Sequence, residues 1–133
     1  MRYAISYVST ANIDLQEQGV YDIMNETNKY NKGHKITGIL LYNERNFFQL
    51  LEGDKKVIQC LYEKIIKDSR HHDIIKFLEK PVSRPACDGY MTDFITDSNK
   101  YNQSQLKHYL QYIEVLEPES QKSLKRVIEL MMV

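Results

Sequence analysis

Ile36-Thr37-Gly38-Ile39-Leu40-Leu41-Tyr42, then Asn43-Glu44-Arg45-Asn46, then Phe47-Phe48-Gln49-Leu50-Leu51: this stretch decides the fold. Two apolar, β-prone runs flank a short polar turn, which is the pattern of a β-hairpin. Upstream, Tyr3 to Ser9 alternates at period two and reads as a strand. One of its faces carries Tyr3, Ile5 and Tyr7, and the other Ala4, Ser6 and Val8. Between strand and hairpin, Asp14 and Glu17 resemble a capping box for a helix that presents Val20, Ile23, Met24 and Thr27 on one side. Its end is expected near Asn31-Lys32-Gly33, where Gly33 can take a positive φ. Downstream, Asp54 is placed to cap a second helix carrying Val57, Ile58, Leu61, Ile65 and Ile66 at helical spacing and finishing near Asp68 to His72. Ile74 to Leu78 and Tyr90 to Ile95 read as two more strands.

The order β-α-β-β-α-β-β belongs to the α+β class. Few layouts accommodate it without crossed connections, and the favoured one is ferredoxin-like: a mixed sheet with both helices on one face. The opposite face then needs cover. Leu106, Tyr109, Leu110, Ile113 and Leu116 form one helical stripe, and Leu124, Val127, Ile128 and Met131 another, with Pro118 opening the second helix. The expected organisation is a domain over residues 1–97 and a C-terminal helical hairpin over 98–133, packed on the bare side of the sheet. The competing reading leaves those stripes exposed for oligomer or partner contact.

A chain of 133 residues holds one such domain and not two. Lys plus Arg and Asp plus Glu balance at 18 each, so no positive field draws in nucleic acid or an anionic membrane. The alternating N-terminus is neither a signal peptide nor a membrane span, which makes the cytoplasm the expected location. Cys60 and Cys87 read as free thiols of that compartment. There are ten tyrosines and no tryptophan.

Gln49 does not fit a plain core, because both faces of its strand are otherwise apolar. An unpaired buried amide costs roughly 1–3 kcal/mol, so Gln49 needs partners. Backbone groups can supply them. So can a neighbour with which the amide exchanges its donor and acceptor ends, and Tyr7 is a phenol in reach on the first strand. Asn31 can simply terminate its helix, and Lys64 and Asp68 can be a solvent-facing i,i+4 pair. Other chemistries find little support. His71-His72-Asp73 lacks a second ligand cluster for a metal, and no glycine-rich phosphate loop, nucleophile elbow or HExxH is present. Ser9-Thr10-Ala11-Asn12 lacks the arginine that an acylphosphatase-type phosphate loop would want.

Taken together, Lys35 to Tyr42, Phe47 to Gly53 and Lys67-Asp68-Ser69-Arg70-His71-His72 resemble the BLUF domain, a flavin-binding sensor of blue light. The likeness runs from about Tyr3 to Phe94. It implies FAD, with FMN as the alternative, held between the two helices and edge-on to the sheet. By matching position, Tyr7 would be the electron donor, and Gln49 would bridge the phenol and the flavin edge. Asn31 would hydrogen-bond the ring, with Tyr30 beside it, and Ile23 and Ile65 would clamp its faces. Lys64 and Asp68 would lie along the ribityl and phosphate part, with Arg70 and His71 nearby. Met91 matches the last-strand methionine that lies against the glutamine.

The chain departs from the family pattern in three places. Gly89 stands at the usual tryptophan position, Ala86 at the usual phenylalanine, and Tyr30 where relatives often carry His or Asn. The resemblance implies a receptor rather than an enzyme, with output expected through a protein partner or homo-oligomer; the two apolar stripes make the C-terminal hairpin the expected transmitter. The rival reading is a flavin-free, ferredoxin-like interaction module.

Overall fold

The computed structural model describes residues 1–83, 89–96, 100 and 102–133. Arg84, Ala86, Cys87 and the expected 97/98 boundary lie outside the described residues. The elements are β1 (Arg2–Ala11), α1 (Glu17–Gly33), β2 (Thr37–Asn43), β3 (Asn46–Asp54), α2 (Lys55–Ile66), β4 (His71–Pro81), β5 (Tyr90–Phe94), α3 (Gln103–Leu110), a 3-10 turn (Gln111–Ile113) and α4 (Pro118–Met131).

The strands form one sheet in the order β4-β1-β3-β2-β5. The hairpin β2–β3 is antiparallel, β1 lies antiparallel between β3 and β4, and β5 joins β2 in parallel at the edge. This is the mixed ferredoxin-like sheet that the pattern predicts. Period two sorts its side chains between two cores. Tyr3, Ile5, Leu40, Tyr42, Phe47, Leu51 and Tyr90 pack with Val20 and Met24 of α1 and Ile58 of α2. Ala4, Ile39, Leu41, Phe48 and Leu50 pack on the other side with Tyr109, Ile113, Leu116, Leu124 and Ile128. The C-terminal stripes are therefore buried against the sheet, and the reading that left them exposed is not what the fold adopts. The Tyr109 phenol reaches across to the Asp93 carboxylate, tying α3 to β5.

Several local expectations are corrected. Residues 12–15 make a turn of their own, closed by the Leu15 N–H on the Asn12 carbonyl at 2.9 Å, so α1 starts after Gln16 with no side-chain cap from Asp14. Gly33 stays helical, and Lys35 (φ 55°) takes the left-handed step instead. Asp54 does precede α2, but makes no capping bond; its carboxylate faces the Met1 ammonium at 3.9 Å. The second helix ends at Ile66, which leaves His71 and His72 at the start of β4. The hairpin turn carries left-handed backbone at Glu44 and Arg45 (φ 45° and 73°). Arg45 Nη1 donates to the Leu15 carbonyl at 2.6 Å, and Nη2 reaches the carbonyls of Ala11 and Asn12, fastening the entry to α1. No helix among the described residues is long and apolar enough to cross a membrane.

Two substitutions test this account. Gly38 sits in β2 at φ +138°, and a Cβ there would collide with the Leu50 carbonyl oxygen of the neighbouring strand. Gly38→Ala should cost more than about 2 kcal/mol in urea unfolding, because the φ and the clash both oppose it. Leu124→Ala removes a fully buried side chain from the C-terminal core and should cost about 2–5 kcal/mol by the same measurement.

Candidate functional site

A cavity of about 360 Å³ lies over the sheet between α1 and α2, within the size range of small-ligand pockets. Tyr7, Leu40, Phe47 and Gln49 of the sheet line it, Ile23, Thr27, Tyr30 and Asn31 come from α1, and Leu61, Lys64 and Ile65 from α2. Asp68, Arg70 and His71 close one side with Glu26. Every residue that the sequence placed around a ligand lines this cavity, Met91 excepted.

The polar centre is Gln49, 2% exposed on β3. Register puts Tyr7 of β1 directly opposite it. The Tyr7 phenol donates to Gln49 Oε1 at 2.5 Å. At the other end of the amide, Nε2 donates to the phenolic oxygen of Tyr90. Burial pushes the Tyr7 phenol well above its ordinary pKa, and the nearby Tyr90, Tyr62 and Asp68 add to it. The Tyr90 phenol is raised as well, chiefly by burial. Both are neutral O–H groups at physiological pH. Because an amide nitrogen carries two hydrogens, one N–H of Gln49 remains for an acceptor in the cavity.

Met91 is the correction here. It packs with the C-terminal core on the opposite face of the sheet, while Tyr90 is the β5 residue that meets Gln49. Alternation is the reason: Tyr90, Thr92 and Phe94 share the α1 face, where Thr92 Oγ1 accepts from Asn28 Nδ2 at 2.8 Å and Phe94 stacks on Tyr21 at 5.5 Å between ring centroids. Matching by motif position selects Met91; the period-two signal would have found Tyr90.

Asn31 is fully buried, and no hydrogen bond of good geometry satisfies its Oδ1 or Nδ2 among the described residues, although its side chain lies close enough to the Tyr90 phenol to lower that group's pKa a little against the effect of burial. Such groups are nearly always satisfied, so an amide that lines a cavity with both ends unmet calls for a ligand edge offering donor and acceptor together. Ile23 of α1 and Ile65 of α2 line the same cavity with apolar side chains.

The charged side is largely self-neutralised. Asp68 is hydrogen-bonded to Arg70, at 2.7 Å from Oδ2 to Nη2, rather than paired with Lys64. That guanidinium holds the Asp68 carboxyl below its usual range. Arg70 Nη1 also reaches Glu26 at 2.9 Å. The Lys64 ammonium sits 5.4 Å from the centre of the Tyr30 ring, which stacks on His34. His71 has both ring nitrogens engaged, Nδ1 with Ser9 Oγ and Nε2 with the Ile65 carbonyl, each at 2.7 Å. It therefore shapes the wall beside Tyr7 and leaves no nitrogen over for a ligand. Leu40, Phe47, Leu61, Glu26 and Thr27 line the cavity too; as ordinary core or surface types they gave no sequence signal.

The chain is also similar to known proteins. The family model described as sensors of blue-light using FAD matches residues 3–91. The chain is 33% identical over 78 residues, 59% of its length, to the Blue light- and temperature-regulated antirepressor BluF of Escherichia coli, covering 19% of that protein. It spans about a fifth or less of the length of each curated relative matched. Among solved structures, BlrB, described as a BLUF protein in its dark state, superposes with a TM-score of 0.70 at 25% identity, covering 97% of this chain and 96% of that one. Klebsiella pneumoniae BlrP1 with FMN and cyclic diGMP gives 0.78 at 22% identity, covering 99% and 34%.

Proposed function

This chain belongs to the BLUF family of blue-light sensors, whose cofactor is FAD, and from that premise we propose that its photochemistry runs through Tyr7 and Gln49. One observation carries the reading: a buried phenol bonded to a buried amide on the floor of a cavity whose wall holds an unsatisfied Asn31. When bound, flavin supplies a blue-light chromophore whose excited state accepts one electron. Asn31 would meet the donor–acceptor edge of the ring, Ile23 and Ile65 its faces, and the second N–H of Gln49 its acceptor side. Lys64 would serve the phosphate end, with Tyr30, Asp68, Arg70 and His71 shaping the mouth. FMN is the alternative occupant, and BlrP1 has been described with it.

Tyr7 is the residue suited to give up the electron. Its proton already points at Gln49 Oε1, so loss of the electron, which makes a phenol strongly acidic, hands that proton to the amide oxygen. When the electron and the proton return to Tyr7, the neutral amide can be left with its oxygen and nitrogen exchanged, which leaves a different pattern of donors around the chromophore. Burial favours this chemistry because no water competes for either group. The rival flavin-free module gives no account of why a buried amide on the cavity wall lacks a hydrogen bond of good geometry.

Signal output is proposed to pass through β5 to the C-terminal hairpin, since Met91 packs against that core and Asp93 bonds Tyr109. The hairpin, residues 98–133, would act as an extension of the sensor domain at 1–97. A protein partner or a second copy would receive the signal; the balanced charge disfavours nucleic acid or membrane. The chain is proposed to catalyse no reaction itself and to act in the cytoplasm.

In flavin-loaded protein, blue light should produce a reversible red shift, and Gln49→Leu, which can neither donate nor accept, should abolish it while the yellow colour stays. A parent protein that binds flavin but shows no shift would sink this reading. Asn31→Leu should weaken flavin binding about tenfold, the worth of a buried hydrogen bond, without lowering the melting temperature of the flavin-free protein. Titration against the loaded and stripped forms checks both halves.

A further inference from the structure

We propose that Tyr90 is a positioning residue for Gln49, a second phenol that pairs the amide in both of its orientations and so sets how long the light-adapted orientation lasts. The inference rests on the photochemistry proposed above. In the orientation seen, Tyr7 donates to Oε1, and Nε2 donates to the Tyr90 oxygen. If the amide turns over, Oε1 faces Tyr90 and Nε2 faces Tyr7. A phenol both donates and accepts, so Tyr90 can then donate to Oε1 while Tyr7 accepts from Nε2. Each orientation keeps both bonds. A thioether or phenyl ring at position 90 would leave the turned carbonyl unpaired, and an indole, which only donates, could not pair the orientation seen. Water cannot substitute: Tyr7, Gln49 and Tyr90 are 4%, 2% and 5% exposed.

The fold makes room for this contact. Tyr90 is on β5 and Gln49 on β3, with β2 between them, so the ring must cross about 10 Å of sheet. Its direct partner on β2 is Gly38, which has no side chain to block the path. Gly89, just before Tyr90, bonds Gly38 through its carbonyl at 3.3 Å, which anchors the start of β5 beside that gap. Asn28 and Thr92 fix the strand one pair further on.

The test is dark recovery in flavin-loaded protein. Tyr90→Phe keeps the ring and removes only the hydroxyl; the red shift should still form but decay on the order of tenfold faster, a change of about 1.4 kcal/mol. Tyr90→Met, which donates nothing, should also recover faster, separating the hydroxyl from the shape of the ring. With ring-labelled tyrosine, the light-minus-dark infrared spectrum of the parent should show two phenol contributions, and Tyr90→Phe should lose one. Recovery within twofold of the parent, an unchanged phenol spectrum, or a Tyr90→Phe protein that holds flavin without any shift would each overturn the proposal. Absence of a red shift in the parent would instead overturn the light-sensing reading beneath it.

Discussion

A carboxamide that cannot reach water must be paired by protein, and much of this structure is arranged around that demand at Gln49. The amide sits mid-strand between Phe48 and Leu50, at the point where β1 brings Tyr7 opposite and β5 brings Tyr90 across a glycine. Moving any of these strands by one residue would turn a phenol to the wrong face. The hydrogen bonds therefore depend on register, and register depends on the two apolar cores that period two creates. Fold and site are held by the same alternation.

The sheet divides the molecule's work. Its α1 and α2 face encloses the cavity and carries the polar centre, while its other face is an apolar contact with the C-terminal helices. β5 is the strand on which the two meet most directly. One side of it touches the amide, and the other bonds α3 through Asp93 and Tyr109. The contact to the amide and the contact to the hairpin thus share five residues of backbone.

The sequence was most legible where burial enforces periodicity. The hairpin from Ile36 to Leu51, the faces of β1 and the apolar stripes of the C-terminal helices all follow from spacing alone, and Gln49 announced itself by being polar where nothing else was. It was least legible where local chemistry competes with its neighbours. Asp14 looks like a cap until residues 12–15 close their own turn; Gly33 looks like a left-handed stop, yet Lys35 takes that conformation. Lys64 and Asp68 have the spacing of an ion pair, but Arg70 is the closer cation and claims the carboxylate. At the site, positional likeness pointed to Met91, whereas counting faces back from Phe94 leads to Tyr90. Where the two disagree, geometry along the strand is the stronger guide, because it is imposed by the pleat.

β5 is an edge strand held by one parallel ladder, against β2. In such a strand the side chains change sides with every single-residue step, and no intermediate setting keeps the backbone bonds. One step would bring Met91 to the amide and send Tyr90 towards the helical hairpin. A strand paired in this way admits whole steps only, as a ratchet tooth does, and the step it occupies sets the Tyr90 oxygen against the glutamine.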